Sequence, residues 1–338
     1  MQDPQRASAK TPDADSPTER YARLVIASAF AVGVAFRVFQ YAAGRSLWLD
    51  EVALASALLQ RPVSGAVLPG PWGAVPPGFL VLVKLCSLAL GSGELALRLV
   101  PLLGGVVSLA LFIYVVRRYL PPAAGAFAMV LFAAASYPIY YASELKQYST
   151  DAAVCVGLLL WAITLRDGPF TARRATILAL VGFGCVVLSL TSVFVLGGIV
   201  LSLLLSAWRE GRKAELRRLL AVGVCWAVVI GVPGLLFLHR ITGSGGYALS
   251  FWRAGFMPMP PRSLREAAWL PLALLKLFQE PLGVLEFSDS WVNYMQIAAG
   301  ALAALLGTVW LWRRRPVLAG FLTFPIALAL VDGPPPNG

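Results

Sequence analysis

The run LVPLLGGVVSLALFIYVV, residues 99–116, is closed by the pair Arg117-Arg118. It carries no charge over a length close to the roughly 20 apolar residues that take a helix across a bilayer core. Arginines at its end fit the bias that keeps Lys and Arg on the cytoplasmic side. Comparable runs recur at 24–43, 123–141, 152–165, 219–238, 292–312 and 316–331. A longer one, 175–207, exceeds a single span and divides near Ser189, Thr191 and Ser192. The sequence therefore predicts an all-α, polytopic transmembrane bundle of about nine spans.

Composition agrees. Of 338 residues, 58% are hydrophobic and 13% charged, and the mean hydropathy is +0.74; soluble domains average about 45–50% and 25%. The net charge of +11 does not indicate nucleic-acid binding, because the basic residues lie in short clusters between apolar runs and form no stripe. With the N-terminus inside and the spans alternating, 17 of the 28 Lys and Arg residues fall in short cytoplasmic segments, among them WREGRKAELRR at 208–218. The expected outer loops are 44–98, 142–151 and 239–291. Within the first, Pro77–Leu90 is apolar but short, with Lys84 at its middle. It reads as a helix lying at the membrane surface.

Residues 1–19 are polar and Pro-containing and are expected to form a disordered cytoplasmic N-terminus. They are not a signal peptide, since the apolar run that follows has the length of a full span and no cleavage pattern. The membrane module is expected over 20–331, with DGPPPNG at 332–338 read as the tail of a truncated C-terminus. The four cysteines (Cys86, Cys155, Cys185, Cys225) are scattered, so no metal motif or disulfide frame follows.

Ionisable side chains beside apolar segments are costly to desolvate and mark functional candidates. SLWLDE, residues 46–51, places Asp50 and Glu51 just outside the first span, behind Trp48. SELKQY, residues 143–148, places Glu144, Lys146 and Tyr148 outside the third, with Asp151 beyond. Arg37 lies on the outer half of the first span, and Arg262 and Arg265 lie in the last large outer loop with His239, Arg240 and Arg253. Two acidic patches in one leaflet suit a sugar carried on a lipid phosphate. A carboxylate can act as general base toward an acceptor hydroxyl. Negative charge can stabilise an anomeric carbon with oxocarbenium character, and Lys146 or Arg37 can serve the departing phosphate. Plainer roles stand beside these. Acids in a helix first turn complement the dipole, Arg37 can snorkel to the interface, Lys84 and Arg98 can anchor there, and the tryptophans can form an interfacial belt.

SLWLDE, VPPGFLVLVKL (75–85), GSGELALRLVPLL (91–103), YYASELKQYSTD (140–151) and FWRAGFMPMPP (251–261) together resemble the GT-C superfamily. These are polyprenol-phosphate-sugar glycosyltransferases, and the nearest group is glycosyltransferase family 39, related to protein O-mannosyltransferases and aminoarabinose transferases. The resemblance covers about residues 20–330. It implies an inverting transferase in the bacterial plasma (inner) membrane, with juxtamembrane helices in its first outer loop and its active site facing outside. The base then falls on Asp50, with Glu51 beside it and Glu144 as the second acid. Lys146 matches the phosphate ligand. From the residues alone, Arg37 is a second candidate for the phosphate, and Trp48, Tyr148 and Asp151 are candidate substrate contacts. The donor is a polyprenyl-phosphate sugar, and the acceptor can be a protein, glycan or lipid. The residues assign no cofactor, and a divalent cation is compatible with the phosphate. Relatives often carry His or Lys where this chain has Val75 before Pro76-Pro77, so any role of that position is absent. A transporter or flippase for a lipid-linked substrate, and an inactive truncated homologue, are the competing expectations.

Overall fold

The computed structural model describes residues 16–66, 75–166, 168–231, 261–269, 271–272, 275 and 291–331. Their regular structure is all helical, with no strand among the described residues. Helix α1 (Pro17–Ala42) opens on a reciprocal cap in which the Glu19 amide donates to Ser16 Oγ and the Ser16 amide to Glu19 Oε2, each at 3.3 Å. That cap starts the helix inside the stretch expected to be disordered, at Pro17 rather than after residue 19. Two short helices, α2 (Leu49–Leu59) and α3 (Val63–Ala66), and then α4 (Pro77–Leu90) fill the first loop. The long α5 (Glu94–Tyr119) follows.

The expected span 123–141 is broken into α6 (Pro122–Ala134) and α7 (Ser136–Tyr141), with Ala135 extended at ψ 123°. Pro138 explains the break. It cannot donate to the carbonyl of Ala134 one turn back, but is tolerated in the first turn of a new helix. Then come α8 (Tyr148–Arg166), α9 (Ala172–Leu188) and α10 (Ser192–Arg209). The α9–α10 break falls at Ser189–Thr191, where the sequence divides. Helix α11 (Lys213–Trp226) passes into a π-turn at Ala227–Gly231. The short α12 (Leu264–Ala267) carries Arg265, and α13 (Trp291–Arg314) and α14 (Pro316–Val331) are the last helices among the described residues. The expected features at 1–15, 232–260 and 332–338, including His239, Arg240, Arg253, most of FWRAGFMPMPP and the tail, lie outside the described residues.

Among the described residues, four helices (α1, α5, α8 and α10) are long and apolar enough to cross a membrane, as a helical membrane protein requires. Exposed Leu24, Phe36, Leu103, Phe127 and Leu180 coat the outside of the bundle. Inside, α1 packs on α5 and α6 around Ile26, Leu109 and Met129. Helices α8, α9, α10, α11 and α14 share a second core around Leu158, Leu178, Ile199 and Phe321. Small residues set the closest approaches, as in membrane bundles generally. A Cβ on Gly104 would stand 2.8 Å from the Thr150 amide nitrogen, and one on Gly33 would stand 2.9 Å from Ala133 Cβ.

The helices alternate in direction. Tyr41 at the end of α1 donates to the Leu95 carbonyl at the start of α5, 2.8 Å away, and Cys155 of α8 touches Thr191 before α10. One end of the bundle therefore carries Arg117, Arg118, Arg166 and Arg209, and the other carries Asp50 and the 142–147 turn.

Candidate functional site

Gly44 follows α1 in the left-handed region, φ 56°, where glycine ends helices without a Cβ penalty. The chain reverses there and returns as Arg45–Leu49 above the start of α5. Glu51, in the first turn of α2, is 2% exposed. Its Oε2 accepts the Trp48 amide at 2.9 Å and Arg98 Nη2 at 2.6 Å. Its Oε1 accepts Arg98 Nε at 2.9 Å and the Leu145 amide at 2.6 Å. Arg98 also donates to the Arg45 carbonyl at 2.5 Å and the Ser46 carbonyl at 3.3 Å. Burial pushes the Glu51 carboxyl up, but Arg98 and the two amides outweigh it and hold it below the usual carboxylate range. One buried carboxylate thus fastens three segments: the 45–48 reversal, α5 and the 143–146 turn.

That fastening brings the two acidic motifs together. Lys146 Nζ lies 3.2 Å from Asp50 Oδ2. Asp50 is 64% exposed and Lys146 25% exposed at the side chain, so the pair faces the solvent end of the bundle. Glu144 is buried and interacts with the Tyr140 hydroxyl. The Arg45 guanidinium sits 4.7 Å above the Tyr140 ring, and Arg45 Nη2 donates to Ser143 Oγ at 3.3 Å. Trp48 is exposed. Tyr148 meets Tyr141 edge-on at 4.6 Å. Beneath the turn, a cavity of about 330 Å³ runs between α5, α6, α7 and α8. Phe132, Tyr137, Tyr141 and Tyr148 wall one side of it, against Gly105 and Ser108.

Compared with family models, with curated proteins and with solved structures, the chain matches none of them. The site therefore stands on its own geometry.

That geometry separates the expected site residues. Asp50, Glu51, Glu144, Lys146 and Tyr148 gather at one end of the bundle. Arg37 does not reach the interface. It is fully buried, and its Nη1 donates to the Gly33 carbonyl at 2.9 Å and the Ala133 carbonyl at 3.2 Å. Ala133 lies in the last turn of α6, where the break orphans carbonyls, so Arg37 caps a broken helix and does not snorkel. Its Nε and Nη2 have no partner among the described residues. Asp151 is buried in the first turn of α8, beside Ser189 and Thr191. Lys84 and Arg98, expected as interface anchors, are both buried. Lys84 Nζ donates to the Leu58 and Leu59 carbonyls at 3.2 and 3.1 Å, closing the end of α2.

Arg45 and Tyr140 join the site without a sequence signal of their own, and Arg98 joins it in a role the sequence misassigns. A guanidinium at the edge of an apolar run marks Arg98 as it marks Arg37, but its partner lies 47 residues away. Among the described residues, no three His, Cys, Asp or Glu side chains gather to hold a metal.

Proposed function

We propose that this chain is a membrane glycosyltransferase of the GT-C type, taking a sugar from a polyprenyl-phosphate donor. The observation that carries the reading is the 3.2 Å contact between Asp50 and Lys146. A base candidate and a phosphate-ligand candidate from motifs 96 residues apart share one exposed site. In this reading the N-terminus is cytoplasmic and about nine helices span a bacterial plasma membrane. The pair faces outside, where the lipid-borne head lies.

The reaction then runs as a single displacement. With no donor bound, Lys146 neutralises Asp50. A donor phosphate competes for Lys146 and leaves Asp50 free to accept the proton of an acceptor hydroxyl. The hydroxyl oxygen bonds to the anomeric carbon from the face opposite the phosphate. The carbon–oxygen bond to phosphate breaks with inversion, and its electron pair leaves on polyprenyl phosphate, held by Lys146. Glu51 is saturated by its partners and acts by positioning the 143–146 turn. Glu144, beside Tyr140, is the remaining carboxylate near the reacting sugar. Arg37, fully buried with its Nη1 on the Gly33 and Ala133 carbonyls, is the second candidate phosphate ligand.

The test is transfer itself. Mass spectrometry of surface glycans and glycoproteins from cells carrying the wild-type chain should show a sugar that Asp50→Asn removes while membrane insertion persists. Unchanged glycans with Asp50→Asn would exclude Asp50 as the base.

A transporter of lipid-linked substrate is the second reading. The fully buried Arg37 beside the α6–α7 break favours it, because charged residues next to broken helices mark transport pathways. Single-cysteine labelling at positions 50 and 144 separates the two. A transporter switches sides with substrate, and an enzyme keeps both positions outside.

A further inference from the structure

A second cavity, of about 240 Å³, opens between α10, α13 and α14 at the end of the bundle away from Asp50. Leu205, Val317 and Phe324 form its apolar wall, and Arg209, Glu210 and Trp312 stand at its mouth. Trp312 meets Phe324 edge-on at 5.7 Å. The surrounding charge is one-sided. Segments 206–215 and 313–315 hold six basic residues against two acidic ones, a surplus of four positive charges.

The acids are already engaged. Glu210 accepts the Ser206 hydroxyl at 2.7 Å and pairs with Arg212 Nε at 3.1 Å, and Arg212 also binds Glu215. Arg209, Arg313, Arg314 and Arg315 are exposed, and their side chains have no hydrogen bond or ion pair among the described residues. Unpaired arginines above an apolar slot, with a tryptophan at the boundary, fit an amphiphile with an anionic head. A free phosphate would use the arginines and gain nothing from the slot.

We propose that this cavity seats an anionic phospholipid, its phosphate on Arg209 and an acyl chain against Leu205, Val317 and Phe324. Basic pockets between membrane helices bind acidic head groups in this way. The site lies in the leaflet opposite the Asp50–Lys146 pair and does not depend on the chemistry assigned there.

Native mass spectrometry of the full chain in mild detergent, offered equal phosphatidylglycerol and phosphatidylcholine, tests it. The wild-type chain should retain phosphatidylglycerol preferentially. Arg209→Gln should weaken that preference by about fivefold, one basic contact's worth. Val317→Trp, which fills the slot and keeps the charge, should weaken it as well. Arg118→Gln, a basic residue at the same end on α5 and outside the cavity, should leave it intact. Equal retention of both lipids overturns the proposal, as does an unaltered preference in Arg209→Gln or Val317→Trp, or an equal loss in Arg118→Gln. Displacement of the lipid by inorganic phosphate would assign the arginines to a free anion and overturn it too.

Discussion

The Arg98 guanidinium and the Glu51 carboxylate meet at 2.6 Å, with side-chain exposures of 3% and 2%. The same carboxylate accepts the Leu145 amide, so this pair holds the turn that presents Lys146 to Asp50. Breaking one side of a buried pair strands the other charge, at a cost of about 3–5 kcal/mol. Arg98→Ala should lower the thermal midpoint of the detergent-solubilised protein and abolish activity. The double variant Arg98→Met with Glu51→Leu removes both charges and should be more stable than either single change. It should nevertheless stay inactive, because the Leu145 amide has lost its acceptor. Recovery of both stability and activity would show that the pair does not position the turn.

The same carboxylate gives stability a pH dependence of known sign. Glu51 ionises more readily in the folded chain than at its ordinary value of 4.5. The unfolded chain therefore binds the extra proton first. The stabilisation is complete above 4.5 and drains away as the pH falls toward the folded value. Thermal unfolding followed from neutral pH down through this range should show the midpoint dropping below about 4.5. Glu51→Gln should remove that part of the slope. A wild-type midpoint that stays flat or rises on acidification would contradict the assignment.

Much of this framework is legible in local pattern. Pro77–Leu90 stands out as one short apolar run and forms one helix with those bounds. The α9–α10 break lies where three hydroxyl residues interrupt a run too long for one span. The contacts that make the site are different in kind. Glu51 selects Arg98 and Leu145 from positions 47 and 94 residues away, and no periodicity encodes such a choice. Arg37 binds a carbonyl that is free only because Ala135 is extended, a consequence of Pro138 on another helix. Lys84 looks like an interfacial charge until the fold sets the open end of α2 above it. Charge beside an apolar run signals that a residue is costly to bury, without naming what compensates it.

Two glycines in the bundle should respond oppositely to alanine. At Gly104 the new methyl would lie 2.8 Å from the Thr150 amide nitrogen and 2.9 Å from the Ser149 carbonyl carbon. These are backbone atoms, which cannot rotate aside, so α5 and α8 must part. Overpacking of this kind costs about 1–3 kcal/mol. At Gly157 the nearest atom, Leu111 Cδ1, is 3.6 Å away, an ordinary contact. Alanine there should stabilise α8 by about 0.5–1 kcal/mol through lost backbone entropy. Thermal midpoints of the two variants should move in opposite directions, and a stabilised Gly104→Ala would refute the α5–α8 contact.

Lys146 can be tested apart from the fold. Its partner Asp50 is 64% exposed, and exposed ion pairs contribute about 0–1 kcal/mol. Lys146→Gln should therefore leave the thermal midpoint nearly unchanged. If Lys146 holds the donor phosphate in the ground state, its loss raises KM for the lipid donor, and Lys146→Arg restores part of the affinity. If it also stabilises the departing phosphate, kcat falls with it. Asp50→Asn keeps the site's shape but removes the proton acceptor, so kcat should fall by about 10²–10⁴ with little change in donor KM. Donor titrations with the two variants separate these roles. A donor KM that rises in Asp50→Asn and stays constant in Lys146→Gln would reverse the assignment of base and phosphate ligand.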